Sequence, residues 1–306
     1  MTEHEYRSNP AISRSELWWF SKSPEYFKWR KANPIEPTPA LLFGQVAHKL
    51  LLEPDTFEEE FAVAPNVDRR TKAGKEEWDR FCLESDGKTV VSADVFYQAY
   101  SMILKAREIP LVKELLAGEH EVPLFWTDAD TDVDCKCRLD CMNRDEKGRV
   151  TVVDYKTTND ATYRAFAKDV MQYGYALQAA MYSEGVIQNG LCPKLIKGKP
   201  KRRWRRGDDG KREYYTEIPE TVVMNSDEGE TIRPRFVFIV QEKNEPYMVN
   251  IFEIDADFIQ FGYDQMREYL GTYRSCTDLD WWPGLLGVFN QPQILTLPRW
   301  ATAKDE

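Results

Sequence analysis

Three short runs between Glu121 and Lys156 restrict the fold of this chain more than any other feature. Glu121–Thr127, Asp134–Asn143 and Arg149–Lys156 are rich in Val, Cys, Leu and Phe with polar residues alternating between them, the pattern of strands that bury one face. Arg144–Gly148, between the last two, reads as a tight turn. A meander of this kind must be covered by a second layer, and helix-like segments lie on both sides of it in the chain. Before it come short helices at 13–21 and 24–31, with Ser13 and Ser23 as N-caps and Pro24 in a first turn. A strongly apolar helix follows from Ala40 to Leu52, then a mixed charged stretch over 55–88. Further helices are expected over Ser92–Glu108 and Pro110–Leu116. After the meander the pattern gives helices at Ala161–Val170 and Tyr173–Gln188, strands at Phe236–Gln241 and Tyr247–Ile254, and a helix over Asp257–Ser275. No repeat is visible. The order predicts an α/β (α+β) single domain spanning 1–306, with a docked tail carrying Trp281, Trp282 and Trp300.

The 306 residues carry a net charge of -10, which at first sight disfavours a nucleic-acid partner. The distribution matters more than the sum. Lys/Arg occupy positions 194, 197, 199, 201, 202, 203, 205 and 206, and no acid falls between Lys194 and Arg206, so the remainder carries -18. Such a molecule admits a polyanion only along a defined basic surface. Asp208-Asp209-Gly210, just beyond, suggests a hairpin tip. No run approaches the roughly 18 apolar residues that cross a bilayer. The start MTEHEYRSNP lacks the apolar core of a signal peptide, so no membrane partner and a cytoplasmic location are expected.

Six cysteines are present, three of them as C-x-C-x3-C at Cys135, Cys137 and Cys141. Alternate positions of one strand share a sheet face, and residues strung along such a face do not converge on one ion as a zinc knuckle does. Buried, reduced thiols are the expectation.

The sharpest local pattern is Val152-Val153-Asp154-Tyr155-Lys156-Thr157-Thr158. On a strand, positions i and i+2 share a face, so Asp154 and Lys156 project side by side. Asp140 lies fourteen residues earlier, in Arg138-Leu139-Asp140, and a hairpin brings the two acids together. Paired carboxylates repel unless a cation lies between them, and hard oxygen ligands favour Mg2+, with Mn2+ able to substitute. The alternative is a surface ion pair on an edge strand. His48 sits on the most apolar helix, one turn after Gly44, whose missing side chain is expected to allow close approach; the alternative is an ordinary core or capping histidine. Gln178 and Tyr182, four apart, share a helix face, as ordinary packing residues also do.

Taken in order, G-x3-H at Gly44–His48, Arg138-Leu139-Asp140, Val153-Asp154-Tyr155-Lys156-Thr157-Thr158 and Q-x3-Y at Gln178–Tyr182 resemble the RecE (exonuclease VIII) branch of the PD-(D/E)xK nucleases. RecB nuclease domains and lambda exonuclease are more distant relatives. Phe43–Phe57 and Leu295–Ala301 also look like RecE-type segments, so the likeness covers roughly 10–303, the insert excepted. It implies a restriction-endonuclease-like core, a central mixed β-sheet flanked by helices. The parts would be a helical N-terminal region (10–117), a catalytic core (118–190 and 234–276), a basic insert near 194–233 and the docked tail (277–303). The first motif reads Leu139-Asp140 rather than Pro-Asp, and the proline supplies no ligand. The cysteine spacing of iron–sulfur-bearing relatives is not found.

The resemblance further implies that Asp140, Asp154, His48 and the Tyr155 backbone carbonyl hold Mg2+. Lys156 positions the attacking water, and Gln178 and Tyr182 orient the lysine, the water or the DNA end. Glu121 falls where related nucleases place an extra acid for a second metal, or else is a solvated acid at a strand start. Arg138 reaches a phosphate or pairs with the acid two residues on, Asp140. Lys201, Arg202, Arg203, Arg205 and Arg206 with Trp204 would contact DNA, or form a solvated basic loop. The implied activity is Mg2+-dependent 5′→3′ exonuclease action at double-stranded DNA ends, leaving 3′ single-stranded tails for recombination and repair. Implied partners are a homo-oligomeric ring (trimer or tetramer) and a RecT-like annealing recombinase, in a bacterial cell, from a phage, prophage or host gene. Two other readings stay open: a PD-(D/E)xK endonuclease or nickase, and a non-catalytic DNA-binding subunit with the same fold.

Overall fold

The computed structural model describes residues 1–287 and Ile294, apart from Thr2, Ile35, 207–210, Asn225, Asp227 and the side chains of Glu3 and His4. A short helix α1 (Glu3–Ser8) and a two-residue strand β1 (Ile12–Ser13) lead into α2 (Arg14–Trp18). Ser13 caps α2 reciprocally: its hydroxyl accepts from the Glu16 N–H, and its own N–H donates to the Glu16 carboxylate at 2.8 Å. Ser23 caps α3 (Pro24–Ala32) and Thr38 caps α4 (Pro39–Leu52), each with proline in the first turn. The charged stretch 55–88 resolves into α5 (Phe57–Glu60), β2 (Phe61–Val63) and α6 (Lys72–Glu84); β3 (Thr89–Val91) then pairs with β2. α7 (Ala93–Glu108) and α8 (Pro110–Leu115) complete the N-terminal helices.

The meander is β4 (Glu119–Asp128), β5 (Val133–Arg144) and β6 (Val150–Thr158). Helices α9 (Tyr163–Tyr173) and α10 (Tyr175–Gln188) follow, hinged at Gly174, whose φ of +65° suits glycine. The basic insert folds into strands: β7 (Lys194–Lys197), β8 (Lys201–Arg206), β9 (Arg212–Glu217), β10 (Glu220–Val223) and β11 (Glu230–Thr231). The chain then forms β12 (Arg235–Glu242), β13 (Val249–Glu253) and α11 (Ala256–Leu279), one turn longer than the sequence suggests.

The central sheet is mixed, in the order β1-β5-β6-β12-β13, with β4 on the other edge of β5. β6 and β12 are parallel and lie in its middle, so both their faces are covered and alternate residues enter opposite cores. Val152, Phe236 and Phe238 join Leu17, Phe27, Leu177, Met181 and Met266 on the side of α2, α3, α9, α10 and α11. Val153, Tyr155, Val237 and Ile239 join Val46, Leu50, Met102 and Val112 on the side of α4, α7 and α8. Fully burying an aliphatic or aromatic side chain contributes about 1.5–3 kcal/mol, so these two layers clamp the strands that carry the site. α11 lies close against α10 because Gly262 has no side chain; a β-carbon there would fall 2.0 Å from the Ala176 carbonyl oxygen.

Several expectations are corrected. Cys141 does not share a face with Cys135 and Cys137: those two lie in the first core and Cys141 in the second. The pleat is interrupted at Asp140, so residues beyond it point to the opposite side. Five thiols are buried and unpaired, whereas Cys82 is exposed. In the tail, Trp282 stacks on Phe27 with ring centroids 5.5 Å apart and 10° between planes, while Trp281 is about half exposed. Trp300, the Leu295–Ala301 segment and the tip Asp208-Asp209-Gly210 lie outside the described residues. Among the described residues, no helix is long and apolar enough to cross a membrane.

Candidate active site

Both ladders of β5 break at Asp140. On one edge, β4 pairs with β5 from Asp128↔Val133 to Val122↔Leu139 and again from His120↔Cys141; the intervening Glu121–Asp140 pair is missing. Glu121 has φ +51°, the left-handed region, which costs a non-glycine residue about 1–2 kcal/mol. On the other edge, β6 pairs with β5 from Arg144↔Val150 to Cys141↔Val153 and then parts from it. Beyond that point the Asp140 Oδ2 accepts the Tyr155 N–H at 2.7 Å, so a side chain does the work of a strand carbonyl.

Three donor groups converge on this break. The ring nitrogens of His48 and the carboxylate oxygens of Glu121 and Asp140 include one atom each that lie within 4.8 Å of one another. His48 reaches in from α4, its Nδ1 3.5 Å from Asp140 Oδ2 and its ring edge-on to Tyr155 at 5.2 Å. Two hard carboxylates and one borderline imidazole, partly open to solvent, form a donor set that fits a divalent cation. Glu121 is therefore part of the cluster rather than a solvated strand-start acid, and it also holds Arg138, whose Nε lies 2.7 Å from Glu121 Oε2. Arg138 thus pairs with an acid on the neighbouring strand. Gly44 is not needed for close approach: a β-carbon there would meet Thr157 Oγ1 at 3.7 Å, an ordinary contact.

Asp154 stands beside this trio, on the α10 side of β6, and is fully buried. Gln178 Nε2 donates to its Oδ1 at 2.5 Å, and Lys156 Nζ forms an ion pair with its Oδ2. Burial pushes the Asp154 carboxyl up to about 6; the Lys156 charge opposes this and the Asp140 charge adds to it. Lys156 is largely buried and also lies over the Tyr175 ring at 5.1 Å. The strand period places acid and lysine on one face as expected. Gln178, expected to orient the lysine, the water or the DNA end, donates to the acid that pairs with the lysine. Tyr182, one turn along α10, has its phenol pushed well up by burial, then by the charges of Asp154 and Asp140. Tyr155 itself faces the other core, its hydroxyl donating to Gln241 at 2.8 Å.

Arg14 is the site residue that sequence patterns miss. It donates through Nη2 to the carbonyls of Tyr173 at 2.7 Å and Gly174 at 3.3 Å, and to Gln178 Oε1 at 3.2 Å. This bond fixes the amide so that its NH2 faces Asp154, giving a chain Arg14–Gln178–Asp154–Lys156. Burial lowers the Arg14 pKa, with Tyr182 and Asp154 opposing. An arginine after an N-cap serine carries no sequence signal of this role; only the docking of α2 against the α9–α10 junction creates it. The basic residues Lys201, Arg202, Arg203, Arg205 and Arg206 and Trp204 all lie on the exposed strand β8.

Comparison with known proteins agrees with this geometry. Residues 13–191, more than half the chain, match the family described as PDDEXK-like domain of unknown function (DUF3799). The chain belongs to this PDDEXK-like family. The matched region holds Arg14, His48, Glu121, Asp140, Asp154, Lys156, Gln178 and Tyr182, so the whole candidate site falls inside the PDDEXK-like domain. No curated protein matches the chain. A crystal structure from Eubacterium rectale, described as "Putative exonuclease", aligns with a TM-score of 0.54 at 13% identity, covering 97% of this chain and 95% of that one. At that identity the likeness concerns the fold. The structure of SSO0001 aligns over 73% of this chain and 85% of that one at 11% identity, with a TM-score of 0.27, too low to bear on the fold.

Proposed function

We propose that the protein is a divalent-metal-dependent deoxyribonuclease that hydrolyses phosphodiester bonds from double-stranded DNA ends, 5′ to 3′, with Mg2+ as the cofactor. The observation that carries this reading is the meeting of His48, Glu121 and Asp140 at the break in both β5 ladders, with the Asp154–Lys156 pair alongside. His48, Glu121, Asp140, Asp154 and the Tyr155 carbonyl would hold the cation, and Mn2+ would substitute. When bound, the cation offsets negative charge on the non-bridging and leaving oxygens of the phosphate.

The chain's own residues supply the rest. Lys156 presents three N–H donors on a short tether to Asp154, able to orient a water for in-line attack and to hold a phosphate oxygen as charge develops. Gln178 and Arg14 keep Asp154 from rotating, so the lysine stays at one place. Tyr182 flanks the same acids from α10. Nothing in this arrangement needs a covalent enzyme intermediate.

In this reading the product is a 3′ single-stranded tail, handed to a RecT-like annealing recombinase during recombination or repair. A homo-oligomeric ring, a trimer or tetramer, would reconcile the net charge of -10 with DNA binding, because only its lumen need be basic. Digestion of linear duplex labelled at one 5′ end tests the proposal. Release of the label as mononucleotide at the first cleavage with Mg2+, none in EDTA, and an untouched closed circle are expected; a ladder of shortening labelled strands would mean the opposite polarity. Cleavage of the circle would make the enzyme an endonuclease or nickase. No cleavage of either with Mg2+ or Mn2+ would leave a DNA-binding subunit.

A further inference from the structure

We infer that the β8–β9 hairpin is an arm that binds unpaired DNA through one of its two faces. The inference rests on DNA being the protein's substrate. Every residue of β8 and β9 is exposed, so neither face of this two-stranded ribbon covers a core. Such a hairpin gains little stability on its own. Its large side chains are nevertheless aromatic and open to solvent: Trp204 is 52% exposed, Tyr214 56% and Tyr215 46%.

The antiparallel register sorts the charges. Lys201, Arg203 and Arg205 share a face with Glu217, Tyr215 and Glu213, their cross-strand partners. Two of that face's three cations are paired with acids, Arg203 Nε 2.7 Å from Glu217 Oε2 and Arg205 Nε 3.1 Å from Glu213 Oε2. The other face pairs Arg202 with Thr216, Trp204 with Tyr214, and Arg206 with Arg212. It carries no acid among the described residues. Two arginines directly opposite each other repel, which an anion between them would relieve.

Two aromatic rings thus sit at the centre of an acid-free face, bordered by three guanidiniums. Arg202 lies over the Tyr214 ring at 4.4 Å and Arg212 over the Trp204 ring at 4.6 Å. Aromatic platforms stack on bases whose faces are free, and guanidinium planes do the same while reaching phosphates. In a duplex the base faces are already stacked on one another. The chemistry therefore selects a single strand, such as the one left behind when its partner is digested.

Binding of a fluorescent oligo-dT of about 20 nucleotides to the full-length protein in EDTA tests this, with anisotropy followed over a salt series. Two charge-matched variants separate the faces: Arg202→Gln/Arg206→Gln/Arg212→Gln and Lys201→Gln/Arg203→Gln/Arg205→Gln. The first should bind at least about tenfold more weakly. It should also lower the slope of log K against log salt by about 2, since each phosphate left without its cation removes about 0.7. The second, removing the same charge, should lose less in both. Trp204→Ala/Tyr214→Ala should weaken binding about tenfold with little change in slope, and Trp204→Phe/Tyr214→Phe should restore it. Equal losses in the two triple variants, wild-type affinity in the alanine pair, or tighter binding of a blunt hairpin duplex than of oligo-dT would overturn the inference. Cleavage of labelled duplex with Mg2+ is read separately, so failure of the arm and failure of the nuclease reading are distinguishable.

Discussion

The Asp140 carboxylate accepts the Tyr155 backbone N–H at 2.7 Å, at the place where β5 and β6 cease to pair. One side chain thereby closes the gap that opens the site and offers its remaining lone pairs to a cation. A buried N–H left without a partner costs about 1–3 kcal/mol. The two roles can be separated by substitution. Asp140→Asn keeps an acceptor oxygen and should fold with a Tm close to wild type while losing cleavage. Asp140→Ala should lose cleavage and a further 1–3 kcal/mol or so in urea unfolding. Equal stability of the two variants would show that the N–H finds another partner.

Lys156→Ala should reduce single-turnover cleavage by about 10²–10³-fold or more, the range seen when one transition-state donor is removed. Duplex affinity in EDTA should change by less than a few fold. The fully buried Asp154 then keeps only Gln178, so a loss of stability is also expected, and Lys156→Gln should limit it by retaining a donor. A parallel fall in binding and cleavage would assign the lysine to DNA docking.

Arg14 acts on the reaction through Gln178, so its removal should lower kcat more than it raises KM. Arg14→Met is expected to reduce kcat about tenfold, with Arg14→Lys recovering part of it. Gln178→Glu sets a second acid against Asp154 and should be worse than Gln178→Leu. Steady-state kinetics on labelled duplex gives the split; a change confined to KM would mean that Arg14 meets the substrate directly.

How far these features can be read from the sequence follows from what fixes them. The pairing of Asp154 with Lys156, and the shared face of Gln178 and Tyr182, follow from strand and helix periods, and the caps at Ser13 and Ser23 follow from local hydrogen bonding. Both apolar layers are visible in the Val and Phe patterns of β6 and β12. The break at Asp140 is not, because it depends on Glu121 turning into the left-handed region, which no residue type announces. Cys141 departs from the expected face for the same reason. Arg14 joins the site only through packing between elements some 160 residues apart in the chain. In the insert, charge is legible, but the register that gathers both acids on one face and leaves the other acid-free is not.

Away from the site, Asp128 is buried and bonded by Arg267 Nη2 at 2.5 Å. Burial raises its pKa, but the Arg267 and Thr131 hydrogen bonds outweigh that and hold it below the usual carboxylate value. A carboxylate depressed in the folded state stabilises it above the unfolded pKa, about 3.9, and that contribution is lost as pH falls through the folded value. Asp128→Asn should therefore cost about 1–3 kcal/mol at pH 7, towards the lower end because Arg267 is partly exposed to solvent. The difference from wild type should shrink steadily as pH falls below the unfolded value. Urea unfolding across pH 2–7 checks it; a gap that persisted at low pH would point to packing instead of charge.

The cation site is tested most directly by growing crystals with MnCl2 and measuring anomalous scattering at the manganese edge. We expect a peak bounded by His48, Glu121 and Asp140, with Asp154 close enough to share it, and its loss in Asp140→Asn. A map without such a peak, with these side chains turned away from one another, would contradict the assignment.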